Sequence, residues 1–407
     1  MIFETSYPAV RRRRLHRRSD PAAPRHRVRR HVRRLRDGVL HRIPVDDAAN
    51  YGLHLAVSAD GLNWTPLNQN NPVATPTLGS KGLRDPFVLR KQNGGFVVLA
   101  TDLNGTDSAA TGGHNVLMVN YTSDFVTASA PQTFFDPGYD AIDGDFVSVN
   151  GVNYMYFKNN TQGTLYGARS STLNPSSFTV HTAGIRPGRG VEAPQITKSN
   201  TANTWYMWGD TYSPNGRFFC WQTSDMASGS WSLLNDRAYT QPLNSKHPGI
   251  APITAAELSA LTAKWPAPAW NRLKSYNFPD RYVRHANNVG RIDVYPFDPY
   301  QDQLWTLVPG LADAAGVSFR SVNFPDRYLR HVNYAIQLAV NDGTSTFKAG
   351  ATFTRTAGLA DSSWASFRSY NFPDRYLRHA NYVLRIDPIT SGSPATDKQD
   401  ATFRVGY

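Results

Sequence analysis

From about residue 51 to 255, and again from 272 to 407, apolar and polar residues alternate in short runs broken by Gly, Asn and Pro. Alternation of period two puts one set of side chains on each face of a strand, whereas a helix needs apolar residues at three- and four-residue spacing. No segment of helical period stands out between 272 and 407, and the chain as a whole reads as all-β.

The C-terminal alternation is written three times: "SYNFPDRYVRHANNVGRID" at 275–293, "SVNFPDRYLRHVNYAIQLA" at 321–339 and "SYNFPDRYLRHANYVLRID" at 369–387, in steps of 46 and 48 residues. Each copy offers an aromatic-rich run, a Phe-Pro-Asp turn, the alternating "RYLRH"-type strand, a second alternating stretch and a closing strand in "QDQLWTLVPG", "GATFTRTAG" or "DATFRVGY". Pro presets its own dihedral and Asp bonds back to nearby backbone, so the turn has a mechanism. Three copies of four strands, about 45 residues each, predict a β-trefoil over 272–407. Phe278, Phe324, Phe372, Trp305, Phe353 and Phe403 are expected to form its core.

A looser repeat runs through 51–255, where "LAVSADGLNW", "MVNYTSDFVT", "GARSSTLNPSSF" and "CWQTSDMASGSW" each join a strand end to a polar turn and an aromatic. Spacings of about 50–60 residues fit four-stranded propeller blades. A five-bladed β-propeller is the expected form, but an incomplete one. Five blades of about 55–60 residues would take roughly 290 residues, and 51–255 supplies 205. The shortfall is placed across 104–114, with "TDSAATGG" as the seam. Residues 256–271 read as a linker and 1–50 as a disordered, Arg-rich tail.

Composition narrows the function. The net charge of +12 comes almost entirely from residues 1–43, where 14 arginines face only Glu4, Asp20 and Asp37, so the remainder is nearly neutral. The tract has no base-stacking aromatics or zinc-ligand spacing, and nucleic acid is not an expected partner. No apolar run approaches the roughly 20 residues of a membrane span, and no secretory signal is legible. The single cysteine, Cys220, excludes an intramolecular disulfide.

Three acidic positions stand at strand starts: Asp85 in "LRDPFVLR", Asp143 (with Asp145) in "AIDGDFV" and Glu192 in "GRGVEAPQI". The innermost strands of a propeller all begin beside its central channel, where such carboxylates would converge. Paired carboxyl groups suit glycoside hydrolysis, one activating water while another protonates the leaving group. At these residues the chain resembles glycoside hydrolase family 43, five-bladed propellers that cleave arabinan and arabinoxylan with inversion. The resemblance is closest to exo-acting arabinofuranosidases carrying an arabinose-binding trefoil. It implies Asp85 as general base, Asp143 as the residue that orients the acid and tunes its pKa, and Glu192 as general acid. It also implies His247 of "NSKHPGIAPI" on the active-site floor beside a bound ion, with no cofactor required. Trp208 in "WYMWGD" is a candidate sugar-stacking residue, with core packing as its alternative.

His285, His331 and His379 occupy the same place in each C-terminal copy, beside Tyr, Asn and Asp, as suits hydrogen bonding to vicinal hydroxyls. Here 272–407 resembles the arabinofuranosidase B type domain, carbohydrate-binding module family 42. That resemblance implies pairing of His285 with Asp302 and of His379 with Asp400. The middle copy departs, with Gly350 in the aspartate's place and Ala339 where Asp293 and Asp387 stand. Its pocket, on His331, is expected to bind arabinofuranose weakly or not at all. Together the readings imply an extracellular, monomeric hydrolase that releases L-arabinofuranose from arabinan or arabino-oligosaccharides of plant cell walls; the alternative is an inactive arabinan-binding protein with a damaged propeller.

Overall fold

The computed structural model describes residues 30–35, 53–73, 83–90, 96–102, 116–118, 132–139 and 141–407, apart from 175, 186–189, 213–214, 244 and 246–247. The described residues are mostly strand, as the alternation predicts. In the N-terminal half, β1 (Arg30–Leu35), β2 (Leu53–Ser58) and β3 (Thr65–Pro66) form one antiparallel sheet that β16 (Ala251–Ile253) completes beside β1. Part of the arginine tract expected to be a disordered tail is therefore a strand, bridging early and late segments of this half. Next come two two-stranded sheets, β4 (Leu83–Arg90) with β5 (Phe96–Asp102) and β6 (Val116–Met118) with β7 (Gln132–Phe135). Two four-stranded meanders follow: β8 (Ala141–Val149), β9 (Val152–Asn159), β10 (Thr164–Ser170) and β11 (Thr179–Ile185), then β12 (Val191–Lys198), β13 (Trp205–Tyr212), β14 (Asn215–Thr223) and β15 (Ser232–Leu233).

The meanders pack face to face with each other and with the sheets beside them. Phe135 of β7 meets Phe157 of β9 edge-on at 5.2 Å. Tyr156, Leu165, Val191, Met207 and Trp221 fill the space between the two meanders. Ala56, Trp64, Trp208, Phe218 and Tyr239 then join the second meander to the first sheet, whose β1 and β16 lie against β4. Both sides of each meander are thus sealed by aromatic packing, which favours stacking over an open sheet.

The segment expected to be a linker is largely helix α1 (Ala255–Lys264), started by a capping box in which Thr254 and Glu257 bond each other's backbone N–H. Leu258 and Leu261 of this helix pack on Val57, Leu67 and Ile253.

The C-terminal half is built from β17 (Arg272–Ser275), β18 (Arg281–Ala286), β19 (Val289–Val294), β20 (Trp305–Pro309), β21 (Val317–Ser321), β22 (Arg327–Val332), β23 (Ala335–Val340), β24 (Phe353–Ala357), β25 (Ala365–Ser369), β26 (Arg375–Ala380), β27 (Val383–Pro388) and β28 (Phe403–Gly406). Strands β20, β21, β24, β25, β28 and β17 pair in that order, and the Asn271–Trp305 bridge closes them into a barrel. The hairpins β18–β19, β22–β23 and β26–β27 cap it and touch one another through Val289–Gln337, Arg291–Val383 and Ala335–Arg385. This is the trefoil arrangement. Each hairpin turns on two residues of positive φ, Asn287–Asn288, Asn333–Tyr334 and Asn381–Tyr382, as a type I′ turn requires.

Two expectations fail here. Six-residue helices α2 (Ser345–Gly350) and α3 (Ala395–Asp400) precede the last strands of the second and third copies; they are too short to leave a helical period in the sequence. Of the six expected core aromatics, Trp305, Phe353 and Phe403 are fully buried, but Phe324 is 40% exposed and Phe278 and Phe372 only border the core. Because these three phenylalanines follow the Asn of a turn rather than sitting in a strand, they face the cap.

The halves are docked through buried donors. Arg272 donates to the Gln241 carbonyl, Lys274 to those of Asp236 and Tyr239, and the Tyr282 hydroxyl accepts from Gln241 N at 3.0 Å. Arg237 Nε reaches Tyr276 O at 2.8 Å.

Candidate functional site

The three acidic strand starts share one backbone device. Between Arg84–Thr101 and Phe87–Leu99 strand β4 spends one more residue than β5, and the same surplus occurs in β8 between Ile142–Lys158 and Asp145–Tyr156 and in β12 between Glu192–Asp210 and Gln195–Trp208. A bulge of this kind bends the strand and re-aims its side chains. Its members are Asp85-Pro86, Asp143-Gly144 and Ala193-Pro194, so Pro lies where a ladder donor is not needed. Asp143 and Ala193 both have positive φ, 56° and 51°, a conformation that costs a non-glycine residue of order 1 kcal/mol.

The bulges of β8 and β12 are tied together. Asp143 Oδ2 accepts from Ala193 N at 3.1 Å, and Asp145 Oδ2 from Ile196 N at 2.8 Å. Glu192 precedes Ala193, so Asp143 and Glu192 start neighbouring strands one residue apart from a shared hydrogen bond. Glu192 is buried and its Oε2 lies 2.8 Å from Lys158 Nζ of β9. Burial pushes the Asp145 carboxyl up to about 7, against the bonds from Ile196 and Phe146. The strand carrying Asp85 is described, its side chain is not; His247 lies outside the described residues. Trp208 is not a stacking platform: it is 1% exposed, packs edge-on against Tyr239 and donates from Nε1 to Gly61 O at 2.9 Å. Among the described residues no group of three or more His, Cys, Asp or Glu could hold a metal ion.

In the trefoil each histidine meets the Asn and Phe of the next copy. His285 Nε2 lies 3.1 Å from Asn323 Oδ1 and 3.3 Å from Asp302 Oδ1, with Phe324 edge-on at 5.5 Å. His379 Nε2 lies 3.0 Å from Asn277 Oδ1 and 3.3 Å from Asp400 Oδ1, with Phe278 at 5.4 Å. Each aspartate is also held by an arginine, Arg284 on Asp302 and Arg378 on Asp400, both at 2.6 Å. Burial draws His379 down to about 4, so its imidazole is neutral at neutral pH. His331 keeps its Asn, Asn371 Oδ1 at 2.8 Å, and its Phe372, but Gly350 supplies no carboxylate. The Asn and Phe of "NFPD" and the Arg before each His thus belong to the histidine clusters, which the sequence reading missed, although their identical phase in all copies signalled them.

A family model described as a probable glycosyl hydrolase domain, related to glycosyl hydrolase family 43, matches residues 41–116 and 104–259. The chain belongs to this family 43-related group of glycosyl hydrolases. The family match comes as two segments, which overlap over 104–116. A second model, the alpha-L-arabinofuranosidase B (ABFB) domain, matches 271–405. An extracellular exo-alpha-(1->5)-L-arabinofuranosidase of Streptomyces avermitilis is 50% identical over 133 residues, a stretch spanning 32% of this chain and 27% of that protein's length. Among solved structures, an arabinofuranosidase complexed with arabinofuranosyl-alpha-1,2-xylobiose is 16% identical over 82% of this chain and 95% of its own, at a TM-score of 0.31. A family 43 beta-1,3-galactosidase is 12% identical over 88% and 85%, at 0.30. Superpositions at that level carry no argument about this family 43-related chain. Among its described residues no helix is long and apolar enough to cross a membrane.

Proposed function

We propose that the protein is an inverting glycoside hydrolase that releases L-arabinofuranose from arabinan or arabino-oligosaccharides, held on its substrate by the trefoil. The observation that carries this reading is the bond from Ala193 N to Asp143 Oδ2, which sets Asp143 and Glu192 at the starts of adjacent bulged strands. Glu192 then serves as general acid, Asp143 orients it, and Asp85, at the matching bulge of β4, serves as base for a water on the opposite face of the sugar. An inverting pair needs roughly 6.5–9.5 Å between acid and base to admit that water. The sheets are read as blades of a five-bladed propeller shortened at 104–114. The trefoil raises the local concentration of sugar ends by avidity, and the similarity to an extracellular exo-alpha-(1->5)-L-arabinofuranosidase supports an extracellular setting and an arabinofuranose-containing substrate.

One competing reading is an arabinan-binding protein without turnover, because a base on β4 is only as well placed as the sheet beneath it. Arabinose release from linear arabinan by the purified chain decides between them. Release that disappears in Glu192→Ala while retention on an arabinan affinity gel persists supports the hydrolase. Retention without release by the native chain overturns it.

A further inference from the structure

The first and third trefoil pockets close around a protein carboxylate. In one, Asp302 receives Arg284 at 2.6 Å, Asn323 Nδ2 at 2.8 Å and His285 Nε2 at 3.3 Å; in the other, Asp400 receives Arg378 at 2.6 Å, Asn277 Nδ2 at 2.5 Å and His379 Nε2 at 3.3 Å. The middle pocket keeps all three donors, Arg330, Asn371 and His331, and has lost the acceptor. Every carboxylate that faces Arg378 is replaced around Arg330: Asp387 by Ala339, Asp397 by Phe347 and Asp400 by Gly350. Among the described residues no carboxylate lies within ion-pair distance of Arg330, whose Nε is buried without a hydrogen-bond partner. Its guanidinium instead lies over the Phe347 ring at 4.7 Å. Both hydrogen bonds of Asn371 fall on Oδ1, so its amide N–H groups, which in the other copies reach the aspartate, have no such partner. A Cβ built on Gly350 would stand 3.1 Å from His331 O, 3.7 Å from His331 Nε2 and 3.8 Å from Arg330 Nε, so the missing side chain would start beside those two donors.

We propose that the middle pocket binds a uronic acid, the sugar's own carboxylate filling the place that Asp302 and Asp400 fill in the sister pockets. A guanidinium and an amide converging on one spot match a carboxylate's two oxygens, and the retained His331 and Phe372 give the pocket the hydroxyl-bonding and apolar walls of its sisters. The middle copy is thereby converted rather than lost, and the trefoil reads neutral and acidic sugars at separate sites. This rests on reading the trefoil as a sugar-binding module.

Calorimetric titration of the full chain with sodium D-galacturonate, the methyl ester of D-galacturonic acid and methyl α-L-arabinofuranoside tests it. The expected result is one galacturonate per chain, with the ester at least about tenfold weaker because it lacks the charge. Gly350→Asp restores the internal acceptor and is expected to abolish galacturonate binding while leaving the arabinofuranoside isotherm unchanged; Arg330→Gln is expected to do the same. Equal binding of acid and ester, galacturonate binding undiminished in Gly350→Asp, or no galacturonate binding in the millimolar range overturns the proposal. So does inorganic sulfate that competes as well as galacturonate, which would mark an adventitious ion only. Galacturonate binding without arabinofuranoside binding would support this inference while removing the arabinose reading of the other pockets.

Discussion

Lys158 Nζ lies 2.8 Å from Glu192 Oε2, the two side chains being 6% and 11% exposed. They come from different sheets, Lys158 from β9 beside the Asp143 bulge and Glu192 from the bulged start of β12. The pair therefore ties the proposed acid to the sheet that carries Asp143. Removing one partner of a buried ion pair costs about 3–5 kcal/mol, chiefly because the other charge stays buried. Lys158→Met is expected to lower the free energy of unfolding in urea by that order, with a corresponding fall in the midpoint, and Lys158→Arg by much less. An unchanged midpoint in Lys158→Met would show that the pair does not stabilise the fold. The same logic makes Glu192→Gln, with sugar binding by the trefoil as a folding control, a useful companion to the alanine variant.

Asp145 gives stability a pH dependence of definite sign. Burial raises its carboxyl from an ordinary 3.8 to about 7, so between those values the folded chain holds a proton that the unfolded chain has released. Its contribution is fully present below about pH 4 and is lost as pH rises through 7. Asp145→Asn, which can still accept from Ile196 N, is expected to flatten the fall in melting temperature from pH 4 to 8 and to melt higher at pH 8. Parallel curves for variant and native chain would refute this.

Lys274 acts over a more alkaline window. Burial pulls its ammonium from 10.5 to about 7, so from pH 7 to 10.5 the folded chain binds fewer protons than the unfolded one. The penalty of burying the charge is present below about pH 7 and is relieved as pH climbs toward 10.5. Thermal unfolding between pH 7 and 10 is expected to show that rise in the native chain and to show less of it in Lys274→Met. The variant also loses the bonds to the Asp236 and Tyr239 carbonyls, so it should melt lower at pH 10.

The two aspartates of the sugar pockets are not equivalent. Without Asp400, Arg378 retains Asp397 at 3.0 Å and Asp387 at 3.6 Å, whereas without Asp302, Arg284 keeps only Asp293 at 3.8 Å among the described carboxylates. Asp302→Ala is therefore expected to destabilise the trefoil more than Asp400→Ala, by about 1 kcal/mol or more in urea unfolding. Each should remove one arabinofuranoside from the binding stoichiometry. The reverse order of stability would mean that the arginines do not depend on these pairs.

The sequence displayed what is local and repeated. Three in-phase "NFPDRY" copies fix turns and hairpins, because each signal lies within a few residues of the next. It also displayed Gly350 as a departure, since two intact copies define the missing group. It concealed what only register brings together. Lys158 reaches Glu192 across 34 residues and two sheets, and Asn277 reaches His379 across 102, distances at which no periodicity speaks. Phe278, Phe324 and Phe372 look like core residues by type, yet their place just after a turn asparagine aims them at a histidine. Trp208 was ambiguous for the opposite reason: its indole N–H finds a partner in Gly61 O, so full burial carries no polar penalty.

Arg272, Lys274 and Tyr282 do more than glue two halves side by side. A module joined by a slack tether could swing freely; one bolted through buried donors to the Gln241, Asp236 and Tyr239 backbone holds its histidine clusters at set separations from the N-terminal sheets. On the proposed sugar-binding reading the assembly behaves as a caliper, favouring polysaccharides whose branches recur at the gauge it was built to.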